Sequence, residues 1–399
     1  MSRSPGYETR RRGLARLFST DIEWSRFDWH LLTLALLLCG AGLLSLHAMA
    51  EADARFDRAG GPDFEGQLQK LALALPCLLA GLHLRTGWLR RHAWWIGAAA
   101  LLLLVLVPII GQERNHARRW IPLPIGFDLQ PSELAKVALV VVLAKLLYRS
   151  RLDRARDWLL AAAAVLVPMV LVARQPDLGT ALCMAPIALG VLYLAGASAR
   201  RLGLLCACFA LLALCAVQFE WVRDYQLQRV RTWLGTVEAA PLIDARNGAA
   251  FHVYHARVAI GNGGWFGTGL GRGVSNVAGH LPERDCDSAF AVLAEEGGWF
   301  GMVALIGGYL LLCVGLLHAA SAQRERFSRL VVGGVGLYFA AHLFIHAGVN
   351  LGLVPLTGLP LPLFSTGGSS LLASFTALGL ALGTSARREA ALDEDSFRD

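Results

Sequence analysis

Residues 281–301, LPERDCDSAFAVLAEEGGWFG, place four carboxylates, Asp285, Asp287, Glu295 and Glu296, at or inside the start of a long apolar run. If Asp287 marks the outer end of a membrane helix, Glu295 and Glu296 lie roughly 12 to 13 Å deeper, at about 1.5 Å of rise per residue. At that depth a carboxylate must face the bundle interior, pair with a cation, be protonated or line a wet cavity. A lone acid there usually caps a helix or bonds a neighbouring one. These four have company. The stretch RNHARRWIPLPIGFDLQPSELAK (114–136) joins Arg118 and Arg119 to the interfacial Trp120, then sets Glu133 and Lys136 on one face of a helix that starts at Pro131. Guanidinium grips phosphate oxygens bidentately, so the arginine pair reads as a receptor for an anionic lipid headgroup, ordinary phospholipid being its plainest ligand. Glu133 and Lys136 either join that site or neutralise one another. In RQPDLGT (174–180), Asp177 either caps a helix or pairs with Lys136 or an arginine.

The elements that position these groups follow from composition. Of 399 residues, 55% are hydrophobic and 17% charged, which marks an integral membrane protein. The net charge of +7 comes from Lys and Arg in short runs between apolar segments, where they set topology, so nucleic-acid binding is excluded. Spans of about 20 apolar residues begin near residues 29, 67, 93, 131, 157, 180, 202, 287, 329 and 368. The expected fold is an all-α membrane protein of about ten transmembrane helices. The basic loops near 85–92, 149–156, 197–201 and 319–329 alternate with the others and put both termini in the cytoplasm. A cytoplasmic tail (1–28), one membrane domain (29–386) and a charged C-terminal tail (387–399) with the composition of disorder result. A long outer loop, about 221–286, separates the seventh and eighth spans. It carries Arg223, Arg229, Arg231, Arg246, Arg257 and Arg272, and the short 111–130 loop carries Arg114, Arg118 and Arg119, against the charge rule that placed both outside. Seven of the eight cysteines, all but Cys286, sit in apolar segments like small core residues, so no disulfide framework is expected.

AIGNGGWFGTGLGRG (259–273) follows no predicted strand, so a dinucleotide loop is a weak reading and an outer loop that re-enters the membrane interface a better one. GLVPLTGLPLPLFSTGGSS (352–370) crowds Pro and Gly at the edge of the last span, where irregular backbone must line a cavity. RRWI, LQPSELAK, QPDLGT, AIGNGGWFGTGLG, LPE with a following Asp-Ser-Ala-Phe-Ala-Val-Leu-Ala-Glu-Glu, and GLVPLTGLPLPLFSTGGSS occur in that order. Together, over about residues 29–386, they resemble the SEDS family (shape, elongation, division and sporulation), that of RodA and FtsW. QPDLGT and PLTGLPLP lean toward the elongation type, which is the reading taken, and GGWFGTGLG toward the division type.

The resemblance implies a peptidoglycan glycosyltransferase of the bacterial inner membrane. It would extend glycan strands from lipid II at the outer face, beside a class B penicillin-binding transpeptidase. Aligning LPE puts the family's essential acid on Asp287. Joining a sugar hydroxyl to a carbon that carries a pyrophosphate needs a base and a positively charged cradle. Asp287 fits the base, and Arg118, Arg119 and Lys136 the cradle, with the acid and the arginine pair meeting around one outward groove. Glu133, Asp177, Glu295, Ser365 and Ser369 complete the substrate-binding candidates, and a divalent cation, Mg or Mn, would sit on Asp285 and Asp287. The chain departs from the family pattern at Asp285-Cys286 and Ser288-Ala289, His255-Ala256, His346 and Thr366. Those departures keep two alternatives open, a lipid II flippase and a non-catalytic scaffold that activates the transpeptidase.

Overall fold

The computed structural model describes residues 22–55, 62–114, 117–123, 127–218, 249–277, 279, 281 and 283–387, with single positions between 227 and 234. Residues 1–21 and 388–399 of the two tails lie outside the described residues, as do Arg223, Arg229, Arg246 and Pro282. The helices are α1 (Trp29–Arg55), α2 (Phe64–His83), α3 (Thr86–Ile110), α4 (Pro131–Leu147), α5 (Ala155–Arg174), α6 (Leu178–Leu194), α7 (Ala199–Gln218), α8 (Ala249–Asn262), α9 (Val274–Val277), α10 (Ala289–Ser321), α11 (Arg326–Leu351) and α12 (Gly368–Ser385). Each predicted span start lies within two turns of a helix start. By length and composition, α1, α3, α5, α10 and α11 are long and apolar enough to cross a membrane, and the chain is a multi-pass membrane protein.

Local chemistry sets the boundaries. Asp63 caps α2 by accepting from the Gly66 amide at 2.8 Å, Pro131 occupies the first turn of α4, and Gly352, at φ 73°, ends α11 in the left-handed conformation. One departure from an all-α fold lies between α3 and α4. Strands β1 (Gln112–Arg114), β2 (Ala117–Leu123) and β3 (Phe127–Leu129) form an antiparallel sheet in the order β1-β2-β3, with Glu113 opposite Arg118 and Ile121 opposite Leu129. The reason is legible afterwards. Pro122 breaks any helix there, and Ala117 and Ile121 are buried while Arg118 is exposed. The long outer loop likewise is not all loop, since α8 packs on α10 and α11.

Side-chain bonds define two ends of the bundle. At one, Ile22 bridges Arg387, Arg387 donates to the Leu82 and Leu84 carbonyls, Arg90 pairs with Glu325, and Arg201 donates to the Leu152 carbonyl at 2.9 Å. Here the basic loops gather and the two described termini meet. The motifs gather at the other end.

Helices in lipid gain little hydrophobic free energy from association, so close backbone approach through small residues does much of the packing. The seam between α2 and α12 is built that way, since a Cβ at Gly379 or Gly383 would be driven into the carbonyl oxygens of Leu78 or Leu82. Replacing either glycine by Leu should lower stability by about 1–3 kcal/mol or more, read as a fall in the thermal unfolding midpoint in detergent. Gly203→Leu, at an exposed position with open space around it, should leave the midpoint unchanged.

Candidate functional site

The deep acids are held by the chain that leads into and follows the glycine-rich segment. Glu295 accepts from the amide of Ser275 at 2.9 Å, the amide of Asn276 at 3.3 Å and the side chain of Asn262 at 3.2 Å. Glu296 accepts from the Asn276 side chain at 2.7 Å. Asn276 in turn accepts from Arg284 at 2.7 Å, and Arg284 pairs with Asp53 at the end of α1. The backbone joins in because α10 is broken at Gly298 (φ 63°, ψ −161°). The Glu295 and Glu296 carbonyls released there accept from Thr268 and Gly269 at 3.0 Å each, while Trp299 donates to the Gly264 carbonyl at 2.8 Å. At Gly267 and Gly298 a Cβ would strike the facing backbone, and both have positive φ. The glycine pattern of 259–273 is therefore a backbone-to-backbone fit, with no flexible excursion and no phosphate loop.

The acid-bearing turn, 283–288, wraps the Glu283 carbonyl, which accepts from Cys286, Asp287 and Ser288. Side chains from two other segments lock it. Thr366 donates to the Asp285 carboxylate at 2.8 Å, Ser365 donates to the Cys286 carbonyl at 3.0 Å, and Asn350 of α11 donates to the Asp287 carbonyl at 3.0 Å. The N-cap position of α10 belongs to Ser288, so capping is not what Asp285 does. Two of the departures from the family pattern, Asp285 and Thr366, are thus partners. The same 361–369 segment reaches the other motifs: Ser369 donates to the Asp128 carbonyl at 2.9 Å and accepts from the Gln130 amide at 2.7 Å.

Asp177 caps α6 through the Thr180 amide at 3.3 Å and accepts from Gln130 and Ser132. Among the described residues it pairs with neither Lys136 nor an arginine, and its role is the cap. Arg119 donates to the carbonyls of Gln175 and Pro176 just before it and so clamps the sheet to the start of α6. Lys136 and Glu133 are a buried pair, 2.7 Å apart and 0% and 1% exposed, with the Lys136 ammonium 2.9 Å from His342 Nε2. Between neutralising one another and cradling a headgroup, they do the first. Burial removes both from any surface a diphosphate could reach.

The expected meeting of acid and guanidinium pair around one groove is not what the structure shows. Asp287 lines a cleft of about 10 Å³ with His252, Asn350 and Leu356. Arg118 lines a separate cavity of about 240 Å³ with Arg174, Gln175 and Glu113, its guanidinium 3.5 Å from Glu113. Both cavities open at the same end of the bundle, and the 352–369 segment runs beside Asp287 and bonds to the Asp128–Gln130 stretch that follows the sheet. The physical reason is that Arg119 is committed to backbone carbonyls while the chain around Gly358 abuts the Asp287 carboxylate. Among the described residues no three metal-ligating side chains cluster, and Asp285 has one oxygen on Thr366.

Sequence reasoning missed Arg284, Asp53, Asn276 and Asn350. Arg284 stands inside the quoted acidic stretch and is its one cation, which was the signal to seek a partner. Asp53 closes the first span with a charge in its last two turns, a weaker clue. Asn350 carried none. Burial pushes the Cys286 thiol well above its usual range, and the Asp287 and Asp285 carboxylates add to the shift, so it stays protonated beside the acid.

Residues 28–390 match the profile of a family described as cell cycle protein, that of FtsW, RodA and SpoVE. The chain is 36% identical over 384 residues to a probable peptidoglycan glycosyltransferase FtsW of Alkalilimnicola ehrlichii, covering 91% of this chain and 90% of the relative. It superposes with a TM-score of 0.74 and 30% identity, over 94% of this chain and 100% of the other, on a chain from a structure described as structural coordination of polymerization and crosslinking by a peptidoglycan synthase complex. The crystal structure of the Thermus thermophilus rod shape determining protein RodA matches with a TM-score of 0.66 and 31% identity, over 91% of this chain and 97% of that one.

Arg284→Ala strands the buried Asp53 carboxylate and should destabilise the protein by about 3–5 kcal/mol. The double variant Asp53→Ala/Arg284→Ala should be less destabilised than Arg284→Ala alone, read from thermal unfolding midpoints. Iodoacetamide should alkylate Cys286 at least about tenfold more slowly than it alkylates free cysteine at pH 8, read by mass spectrometry of the peptide.

Proposed function

The chain belongs to the cell cycle protein family of FtsW, RodA and SpoVE, and from that premise we propose that it is a peptidoglycan glycosyltransferase that polymerises lipid II with Asp287 as the base. The observation that carries this reading is the turn 283–288, where Ser365, Thr366 and Asn350 converge from two segments to hold the backbone around one half-buried carboxylate. A base must be fixed relative to the hydroxyl it deprotonates, and these bonds fix the turn that carries Asp287. The acceptor sugar hydroxyl gives its proton to Asp287, its oxygen bonds to the anomeric carbon, and the pyrophosphate leaves with the electron pair.

Positive charge for the departing pyrophosphate comes from Arg118 with Arg174, which share one open cavity, in place of the arginine pair with Lys136. The two cavities join for turnover when the chain around Gly358 moves aside from Asp287 while Ser365 and Thr366 stay bonded to the turn. A divalent cation, Mg or Mn, on Asp285 and Asp287 belongs to the same proposal, since carboxylate oxygens are the hard donors such ions take. When bound, it neutralises pyrophosphate charge. The motif end faces the outside of the bacterial inner membrane because the opposite end gathers the basic loops. A penicillin-binding transpeptidase of class B is the proposed partner, supported by the peptidoglycan synthase complex among the structural neighbours.

A flippase needs polar groups running through to the far end. Beyond Tyr338 and Ser374, the interior of α4 and α11 is closed by Val140, Leu143, Leu147, Val331 and Val335, all buried, which favours the enzyme. The purified protein, reconstituted with its partner and labelled lipid II, should form glycan chains, and Asp287→Asn should slow them by at least about 10²–10⁴-fold. Arg118→Ala/Arg174→Ala should raise the KM for lipid II with a smaller effect on kcat. EDTA should lower the rate and added Mg or Mn restore it. Headgroup translocation without polymer would support a flippase instead, and undiminished polymer from Asp287→Asn would overturn the proposal.

A further inference from the structure

A polar cavity lies at the end of the bundle opposite Asp287. It has a volume of about 620 Å³ and is lined by Arg26, Asp28, His318, Gln323, Arg324 and Arg387. Three guanidiniums face one carboxylate, Asp28, which accepts from the Leu31 amide at 3.2 Å as a helix cap. Glu23, outside the lining, pairs with Arg26 at 2.8 Å. Arg387 is held by the Leu82 and Leu84 carbonyls, while Arg26, His318 and Arg324 are exposed, so the cavity has one fixed cationic wall and a solvent-accessible rim.

A second, independent feature gives its depth. Trp24, Phe27 and Trp29 form an aromatic cluster on the same short segment as Arg26 and Asp28, with ring centroids 4.7 Å apart for Phe27–Trp29 and 6.0 Å for Trp24–Trp29. Both tryptophans are half exposed, at 53% and 54%. Exposed tryptophans beside the start of a membrane span anchor at the headgroup layer, which puts the cavity mouth where lipid phosphates lie. The basic loops gathered at this end assign it to the cytoplasmic leaflet, and basic pockets between helices there bind anionic headgroups. Guanidinium matches the planar spread of phosphate oxygens better than ammonium does.

We infer that this cavity binds the phosphodiester headgroup of an anionic phospholipid from the inner leaflet, with Arg26 and Arg324 as the capturing groups and Arg387 as the fixed wall. The site is distinct from the one that acts on lipid II, and its ligand is not consumed.

The test uses the full chain and vesicles of phosphatidylglycerol in phosphatidylcholine, with lipid retained through purification counted by native mass spectrometry. Arg26→Ala/Arg324→Ala should weaken phosphatidylglycerol retention about 30-fold, from about 1 kcal/mol per arginine, at an unchanged unfolding midpoint. Arg26→Lys/Arg324→Lys keeps the charge, loses the bidentate fit and should fall between the two. Inorganic phosphate at equal concentration should not displace the lipid. Equal retention by parent and Ala variant, equal retention of phosphatidylcholine, or full displacement by phosphate would each overturn the assignment. Glycan polymerisation by the Ala variant reads the other proposal separately.

Discussion

A carboxylate in the interior of a membrane protein must be answered by the chain itself, because no water comes to it and lipid offers no donor. Glu295 and Glu296 impose that demand two turns into α10. Much of the motif-bearing half of the molecule can be read as the response. The amides of Ser275 and Asn276 turn toward them, so the chain between Asn262 and Val274 must fold back against the helix. That close approach requires glycine at the contact points. It also frees the α10 backbone at Gly298 to change direction, since the carbonyls released there find donors in the returning segment. Arg284 then ties the arrangement to α1 through Asp53 and delivers the chain into the turn that bears Asp287. The deep acids thus have a structural consequence at the site without sharing in its chemistry.

A second polar line runs beside them and ends differently. Glu133, Lys136 and His342 lie in contact between α4 and α11, with Tyr338 bonded to Ser374 close by. Beyond this point α4 and α11 meet through Val140, Leu143, Leu147, Val331 and Val335. A charged pair this well buried adds little net stability, because desolvation offsets its attraction, yet removing either member is costly. Its effect is to fix the register of α4 against α11, and α11 carries the Asn350 that holds the Asp287 backbone. Two buried networks, one from each side, therefore converge on the same turn.

The sequence disclosed the large divisions of this fold because they follow from period, length and charge. Ten apolar runs with alternating basic loops leave few arrangements open, and the motif ends fall together once the runs are threaded back and forth. The small sheet was hidden, although Pro122 stood in the way of a helix and the apolar alternation of Ala117 and Ile121 was on view. Within the candidate site, residue types were legible and pairings were not. Arg119 read as a free cation, since nothing in a linear sequence shows that two carbonyls 56 and 57 residues away will occupy it, whereas the pairing of Lys136 with the acid three residues back was one of two open readings that only burial decides. Asp285 and Thr366 are the opposite case. Each looked like a departure from a pattern, and only their proximity shows that one answers the other.

The seam between α2 and α12 joins the second helix of the chain to the last. Gly379 and Gly383 of α12 let it seat in a groove on α2 at the Leu78 and Leu82 carbonyls, and the strand-like bridge from Ile22 to Arg387 closes the same circuit. During synthesis the early helices must therefore wait in the bilayer with that groove open until the ribosome has delivered the final membrane segment. Contacts so distant along the chain form late. A truncation that removes α12 deprives the nascent protein of its closing piece, leaving an incomplete bundle for quality-control proteases to clear.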